Sequence, residues 1–190
     1  MSLESQLSTR LGDGRVVILG VGDVKMRDDG VGPYVVSAIH EQVPEIANVM
    51  LVNGSTVPEF YRQEIAEFHP DHIAIIDAAD MKEAPGTLSI VENTQMRAFL
   101  PVSSHGLPLT LTIDWILNEL PGTDIFLLGV QPESIGIVDD DLELAGYDEE
   151  FLNEVEEDPL KPFFRFTLTP PVKDAAEKLT QMLMQILEQR

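Results

Sequence analysis

The chain has 190 residues, of which 44% are hydrophobic, and this suits one well-buried domain over residues 1–190. It carries 33 acidic and 12 basic residues, and the net charge of −21 argues against nucleic acid and anionic membrane as partners. The chain has no cysteine, which excludes disulfides, thiolate zinc sites and cysteine nucleophiles. No apolar run approaches the roughly 20 residues of a membrane span. The polar N-terminal segment has no signal-peptide core, so we expect a cytoplasmic protein without membrane insertion.

Short apolar runs alternate with helical patterns along the chain. The first run, 16–19, is continuous, which is typical of a strand buried on both faces of a parallel sheet. The predicted strands are 16–19, 48–52, 73–76, 87–91 and 124–130. The predicted helices are 35–42, 58–68, the segment that follows His105, and 171–188. This alternation predicts an α/β fold, a three-layer α/β/α sandwich with a mostly parallel central sheet.

A densely acidic segment interrupts the alternation. Residues 139–158 include eleven acidic residues and no basic one. We interpret about 138–160 as an insertion in a loop, and a solvated acidic loop explains its composition more simply than a metal site does.

Two glycines and two aspartates follow the first predicted strand. Gly20 and Gly22 let the chain turn at the carboxyl end of the strand, where open α/β sheets bind their ligands. Asp28 and Asp29 stand just before a predicted helix. They can both cap its free N–H groups, or one can cap while the other points into the crevice. A dinucleotide site is excluded because the third glycine of the fingerprint is missing and aspartates occupy the place of the pyrophosphate.

A third aspartate and a histidine complete the candidate site. Asp77 directly follows the run 73–76, and because parallel strands end at one edge of a sheet, Asp29 and Asp77 can converge there. Asp80 follows the turn and is predicted to point elsewhere. His105 lies in a polar loop before a helix, where capping is the alternative role.

Two carboxylates and one imidazole suit a divalent transition metal with open coordination positions. Such a metal can polarise a carbonyl or activate water, whereas a close carboxylate pair without metal can do acid–base chemistry. The other histidines, His40, His69 and His72, are interpreted as surface residues.

Five segments, in order, resemble the maturation endopeptidases of nickel–iron hydrogenases, especially those that process hydrogenase-3-type large subunits. They cover most of residues 16–137 and read LGVGDVKMRDDGVGP, NGSTVPE, IIDAADMKEAPGTLSIV, SSHGLPLTLTIDWI and FLLGVQPESIGI. The segment TPPVKDAAEKL resembles the family's final helix. Two turns depart from the family pattern, because Asp23 stands where Asn is usual and Asn53-Gly54-Ser55 where Asp-Gly-Gly is usual.

The resemblance implies a three-layer α/β/α endopeptidase that removes the C-terminal extension of a hydrogenase large-subunit precursor after nickel insertion. It assigns metal contacts to Asp29, Asp77 and His105, with Asp29 and Asp77 as the catalytic residues. Nickel is then carried by the substrate, and other divalent metals can occupy the site. We expect a monomer, because no helix shows a strong second apolar face. The alternative function is a non-catalytic nickel-state chaperone or assembly factor on the same fold.

Overall fold

The computed structural model of the chain describes residues 2–43, 45–99, 109–136 and 166–190. The predicted ligand His105 and the acidic insertion at 138–160 lie outside these residues. The strands are β1 (Val16–Val21), β2 (Val49–Ser55), β3 (His72–Ala78), β4 (Leu88–Glu92) and β5 (Asp124–Val130). The α-helices within these ranges are α1 (Leu3–Leu11), α2 (Val31–Gln42), α3 (Arg62–Phe68), α4 (Met96–Phe99), α5 (Leu109–Glu119) and α6 (Pro170–Glu188). Three 3-10 helices cover Val24–Gly30, Pro58–Tyr61 and Asn93–Gln95.

The five strands form one mostly parallel sheet, as the sequence predicts. Their order is β2-β1-β3-β5-β4, and the first four are parallel. β4 is an antiparallel edge strand, with Leu88 opposite Val130 and Glu92 opposite Phe126. Every residue of β1 is buried, which explains why its sequence is continuously apolar rather than alternating. The carboxyl ends of β1, β3 and β5 therefore lie side by side at one edge.

Helices cover both faces of the sheet, which confirms the three-layer α/β/α architecture. On one face, α1, α2 and α6 bury a core with the inward side chains Val16 and Ile18 of β1. On the other face, α3 and α5 pack against Val17 and Leu19. Helix α2 approaches the sheet closely, since a Cβ placed on Gly32 would lie 2.2 Å from the carbonyl oxygen of Ile76. No helix within the described ranges is long and apolar enough to cross a membrane.

The N-terminal helix α1 was not predicted, although the sequence carries its signal. Leu3, Leu7 and Leu11 recur every four residues, and Leu7 and Leu11 are fully buried. The Ser2 hydroxyl caps the helix by accepting a hydrogen bond from the Ser5 N–H at 3.2 Å. Near the other end of α1, the Arg10 guanidinium pairs with carboxylates of the sheet. The mainly polar composition of this segment did not indicate a helix, although α1 completes one layer of the core.

The predicted glycine turn at 53–56 begins later than expected, because 53–55 are the end of β2, where Ser55 pairs with Val21, and only Thr56 is a turn residue. The predicted helix over 58–68 is confirmed in outline, but its first turn is the 3-10 helix Pro58–Tyr61.

The surface assignment of the histidines holds only for His69, which is exposed. His40 is half-buried, so its assignment to the surface is wrong. His72 is also half-buried, because it begins β3 and its Nδ1 lies 3.2 Å from Oδ2 of Asp124. Arg10 holds the same carboxylate through Nε at 2.8 Å and through a second nitrogen at 2.7 Å. His72 therefore belongs to a partly exposed ion cluster and is not a free surface residue.

Candidate active site

The turn after β1 is a kinked 3-10 segment that carries both aspartates. Met26 and Arg27 leave helical geometry, and Arg27 has φ 53° and ψ −114°. A positive φ is uncommon for a residue with a side chain, and here it changes the direction of the chain just before Asp28. The two aspartates that follow this kink are consecutive and have different hydrogen-bond partners.

Asp28 is a structural clamp. Its carboxylate is fully buried and accepts hydrogen bonds from the backbone N–H groups of Glu133 and Ser134, both at 2.9 Å. It also accepts from the Thr169 N–H at 2.7 Å and from the Thr169 hydroxyl at 2.9 Å. Asp28 thereby joins the turn after β1 to the loop after β5 and to the start of α6. These bonds satisfy its charge, which leaves Asp28 no free oxygen for a ligand.

Neither aspartate caps α2, so the capping interpretation of the pair is wrong. The N-cap of α2 is Gly30, which makes no side-chain capping bond. Asp23 caps the preceding 3-10 helix instead, accepting from the Lys25 N–H at 2.9 Å. An asparagine at this position can accept the same bond through its amide oxygen, so the departure from the family's usual Asn preserves the turn.

Asp29 and Asp77 form a buried pair at the carboxyl edge of the sheet. Each side chain is only 2% exposed. The Asp23 N–H donates to Oδ2 of Asp29 at 2.7 Å and orients that carboxylate. Among the described residues, no hydrogen-bond donor reaches Oδ1 of Asp77. The two carboxylates thus meet where the strand ends predict, and one buried oxygen is left for a ligand.

Gly22 allows this close approach of the two aspartates. It has φ +133°, and a Cβ there would lie 1.8 Å from the carbonyl oxygen of Asp29 and 3.7 Å from Oδ1 of Asp77. The Gly22 N–H donates to the carbonyl of Ser55 at 3.0 Å, which fixes the turn against β2. A side chain at this position would push Asp29 away from Asp77.

The pKa of the Asp77 carboxyl is raised well above its ordinary value. Burial is the main cause, because it disfavours the charged form, and the negative charge of Asp29 raises the pKa further. A hydrogen bond from the Ala78 N–H opposes the increase. In the metal-free protein, a second negative charge in this pocket is therefore costly, and a cation would relieve that cost.

The pair provides part of the predicted metal-ligand set. Within the ranges described, no cluster of three acidic or histidine side chains could hold a metal ion. The third predicted ligand, His105, lies outside those ranges. Two carboxylates with one unpartnered buried oxygen fit a divalent cation that is mainly held by another molecule. The roles of Asp29, Asp77 and His105 as ligands remain a prediction.

Two further residues shape this edge of the sheet, and the sequence analysis did not predict them. Gln131 directly follows β5, and its Oε1 accepts from the N–H groups of Met81 at 2.7 Å and Glu83 at 3.3 Å. It holds the loop after β3 against the end of β5. The second is Thr169, whose place before two prolines suggests a helix cap but whose hydroxyl binds Asp28 instead. A polar residue directly after a buried strand was the available signal for Gln131. Asp80 is exposed, and its carboxylate bonds to Lys82 and to the Gln131 side chain.

Comparison with known proteins identifies the family. The family model of the hydrogenase maturation protease HycI matches residues 33–145. The hydrogenase 3 maturation protease of Escherichia coli is 27% identical over 167 residues, which are 88% of this chain and 87% of that protein. The crystal structure of the nickel–iron hydrogenase maturation protease HycI from Thermococcus kodakarensis superposes with a TM-score of 0.72. It is 27% identical to this chain, and the match covers 96% of this chain and 99% of that one.

The solution structure of the endopeptidase HycI from Escherichia coli has a TM-score of 0.65, with 27% identity and 90% of each chain covered. The sequence, the fold and the matched region agree: this chain belongs to the hydrogenase maturation protease family.

Proposed function

We propose that this chain is an endopeptidase that removes the C-terminal extension of a nickel–iron hydrogenase large-subunit precursor after nickel insertion. Asp29, Asp77 and His105 engage the nickel that the precursor carries. Family membership supports the peptidase activity and the kind of substrate.

The observation that carries the proposal is the buried pair of Asp29 and Asp77. A fold does not retain two nearly inaccessible carboxylates beside each other without a cost in stability, unless a cation or a proton balances them. Asp28, one residue away, shows the contrast, because its oxygens are filled by hydrogen bonds. The free oxygen of Asp77 has no comparable structural explanation.

This site is suited to transient rather than permanent metal binding. Resident metal sites usually supply three or four protein ligands, whereas the predicted set has a single imidazole and no second histidine. We therefore propose that the site reads the nickel state of the precursor and does not keep a metal of its own. Purified protein that retains a stoichiometric metal through extensive chelation would contradict this part of the proposal.

In the proposed peptide cleavage, the substrate's nickel and the residues of this chain have different roles. Nickel in the precursor supplies a Lewis acid that can polarise a carbonyl or lower the pKa of a bound water. Asp29 is fixed by the Asp23 N–H and Asp77 by its place in β3, so the chain positions the scissile peptide at this edge. A carboxylate of the pair can instead take the proton of the attacking water as a general base. A cleavage rate that changes with the metal loaded into the precursor supports the first route, and a constant rate supports the second.

The substitution Asp77→Asn tests the function against the chaperone alternative. It keeps the shape of the side chain and removes its charge. Loss of an endopeptidase leaves a precursor that is unprocessed but loaded with nickel. Loss of a chaperone leaves a precursor that is both unprocessed and poor in nickel. The precursor's mass and its nickel content, measured in cells that carry the variant, separate the two functions.

The matched control is Asp80→Asn, three residues further along the chain. Asp80 is exposed and its carboxylate bonds to Lys82 and to the Gln131 side chain. Its charge is not among the causes of the raised pKa of Asp77, so its substitution leaves the buried pair intact. We expect normal processing with Asp80→Asn and a loss of processing of at least 100-fold with Asp77→Asn, as for the removal of an essential acid–base or ligand group. Normal processing by Asp77→Asn would contradict the proposed role of the pair.

A further inference from the structure

An apolar surface lies outside the candidate active site. The described residues expose few large apolar side chains, and three of them lie on the layer built by α3 and α5. They are Phe60, 75% exposed, Leu111, 40% exposed, and Trp115, 37% exposed. Leu111 and Trp115 are four residues apart on α5 and project from the same side of the helix. Phe60 belongs to the 3-10 helix that packs against α5. We call these three residues the α3–α5 face.

The fold does not need this face. The core side of α5 is provided by Leu109, Ile113 and Ile116, which are buried against the sheet. Phe60 has most of its ring in solvent, so it stabilises the folded state little. Exposed apolar side chains on two packed elements, which do not contribute to the core, indicate an interaction surface.

The face extends to the edge that carries the candidate active site. The 3-10 helix with Phe60 begins just after β2, and the carbonyl of Ser55 at the end of β2 accepts the Gly22 N–H. Gly22 lies beside the pair, since a Cβ added there would meet the Asp29 carbonyl oxygen and approach Oδ1 of Asp77. Helix α5 ends shortly before β5 begins at the opposite edge, so its first residues, including Leu111, lie toward the site. A partner bound on this face would have its neighbouring segments close to the two aspartates.

The elements that carry these apolar side chains are acidic. The segments 58–68 and 109–119 contain five carboxylates and a single basic residue, Arg62. The acidic residues are Glu59, Glu64, Glu67, Asp114 and Glu119. Arg62 is already engaged, because its guanidinium lies 5.5 Å from the centre of the Trp115 ring and 3.6 Å from a carboxylate oxygen of Glu119. The surface therefore offers aromatic anchors within a negative rim.

We propose that the α3–α5 face docks a basic, amphipathic segment of the hydrogenase large-subunit precursor. This inference rests on the proposed function and deepens it by naming the surface and the chemistry of the partner. Aromatic side chains such as Phe60 and Trp115 dominate the binding energy of protein interfaces. The carboxylates favour a positively charged partner and speed its approach. A second copy of this chain is a poorer occupant, because the same acidic rims would meet and the net charge of −21 would oppose association.

The test compares substitutions on this face with one on the opposite layer. Phe60→Ala and Trp115→Ala remove the anchors, and Gln185→Ala, at an exposed position of α6, is the matched control. Each is made in the active protein, and the nickel-free precursor is the probe, because the proposed checkpoint leaves that form uncleaved and no proposed nickel ligand is altered. Its binding is measured by biolayer interferometry. We expect each face substitution to raise the Kd at least tenfold, with the control within twofold of the parent.

The rim has its own test. The double substitution Glu64→Gln and Glu67→Gln should slow association severalfold and flatten its dependence on salt. In the active protein, Phe60→Ala should raise KM while kcat at saturating precursor is retained. A structural fault near the aspartates would lower kcat as well.

Unchanged Kd values for both anchor substitutions would overturn the docking proposal, as would a parent protein that does not bind the precursor. If light scattering shows that the anchor substitutions dissociate a dimer while precursor binding is unaffected, the face belongs to a second copy and the proposal is wrong. Active protein that binds the loaded precursor but never cleaves it refutes the proposed function instead. The comparison of Kd values still decides the docking surface in that case.

Discussion

Two buried aspartates at the same edge of the sheet should respond in opposite ways to the same substitution. Asp28 and Asp77 are both essentially inaccessible, and Asp→Asn is isosteric at each. Asp28 uses both oxygens as hydrogen-bond acceptors, whereas Oδ1 of Asp77 has no donor among the described residues. We predict that Asp28→Asn destabilises the metal-free protein at pH 7 and that Asp77→Asn stabilises it.

The loss of stability expected for Asp28→Asn follows from the hydrogen bonds that Asp28 accepts. Asparagine has one acceptor oxygen, so in either orientation its NH2 group faces at least one of the backbone N–H groups of Glu133, Ser134 and Thr169. One unsatisfied buried N–H group and the loss of charge from the remaining bonds together cost about 3 kcal/mol. At 2–4 °C per kcal/mol for a domain of this size, Tm should fall by roughly 6–12 °C.

The stability that Asp77→Asn gains should increase with pH. The folded-state pKa of Asp77 is raised by burial and by Asp29, so the unfolded chain gives up this proton at lower pH than the folded protein does. The wild-type protein therefore loses stability as pH rises from about 4, the unfolded value for Asp, through the folded pKa. Asn at position 77 has no such loss. The difference in Tm should be absent at pH 4 and present at pH 7.

Thermal unfolding of the chelator-treated proteins, followed by circular dichroism or calorimetry across this pH range, measures both effects. An Asp28→Asn variant with an unchanged Tm would show that the hydrogen bonds of Asp28 do not stabilise the fold. An Asp77→Asn variant that loses stability at pH 7 would refute the account of a buried charge with one oxygen, Oδ1, left without a hydrogen-bond donor.

Two other predictions concern the frame of the site and its opposite edge. Gly22→Ala should destabilise the protein by at least about 3 kcal/mol and impair cleavage, because its Cβ would meet the Asp29 carbonyl oxygen. Gly122→Ala, also at positive φ but with no atom within 4 Å of the added Cβ, should cost only about 1 kcal/mol in the same unfolding assay; equal losses would refute the clash argument. Arg10→Met should cost about 2 kcal/mol in urea unfolding, because it breaks paired contacts with Glu92 and Asp124 that link α1 to the sheet. Lys82→Met removes an exposed ion pair, and its free energy of unfolding should be within about 0.5 kcal/mol of wild type. A similar loss of stability in Arg10→Met and Lys82→Met would contradict the claim that the Arg10 contacts matter more.

Much of the fold could be predicted because burial leaves a direct mark on sequence. β1, β3 and β5 lie inside the sheet, so each contains a continuous apolar run and was located within a few residues. The antiparallel direction of β4 could not be predicted, because direction is set by which neighbour it pairs with and not by its composition. Helix α1 was missed because its exposed positions are polar, although Leu3, Leu7 and Leu11 mark the buried side.

The site could be predicted only as far as topology determines it. The meeting of Asp29 and Asp77 follows from parallel strands that end at one edge. The different roles of Asp28 and Asp29 do not follow from the sequence, because adjacent identical residues differ only in the direction that each side chain takes from the 3-10 turn. The expectation of a monomer was based on the absence of a second apolar side on any helix. Helix α5 does expose Leu111 and Trp115, so this basis fails and the oligomeric state stays a prediction.

The most direct test of the central claim is the intact mass of the large-subunit precursor after incubation with this protein. The precursor is prepared in nickel-loaded and nickel-free forms, and Asp77→Asn serves as the inactive control. The account predicts loss of a C-terminal segment from the loaded form alone. Equal cleavage of both forms would contradict the nickel checkpoint, and an intact loaded precursor would contradict the assignment as its endopeptidase.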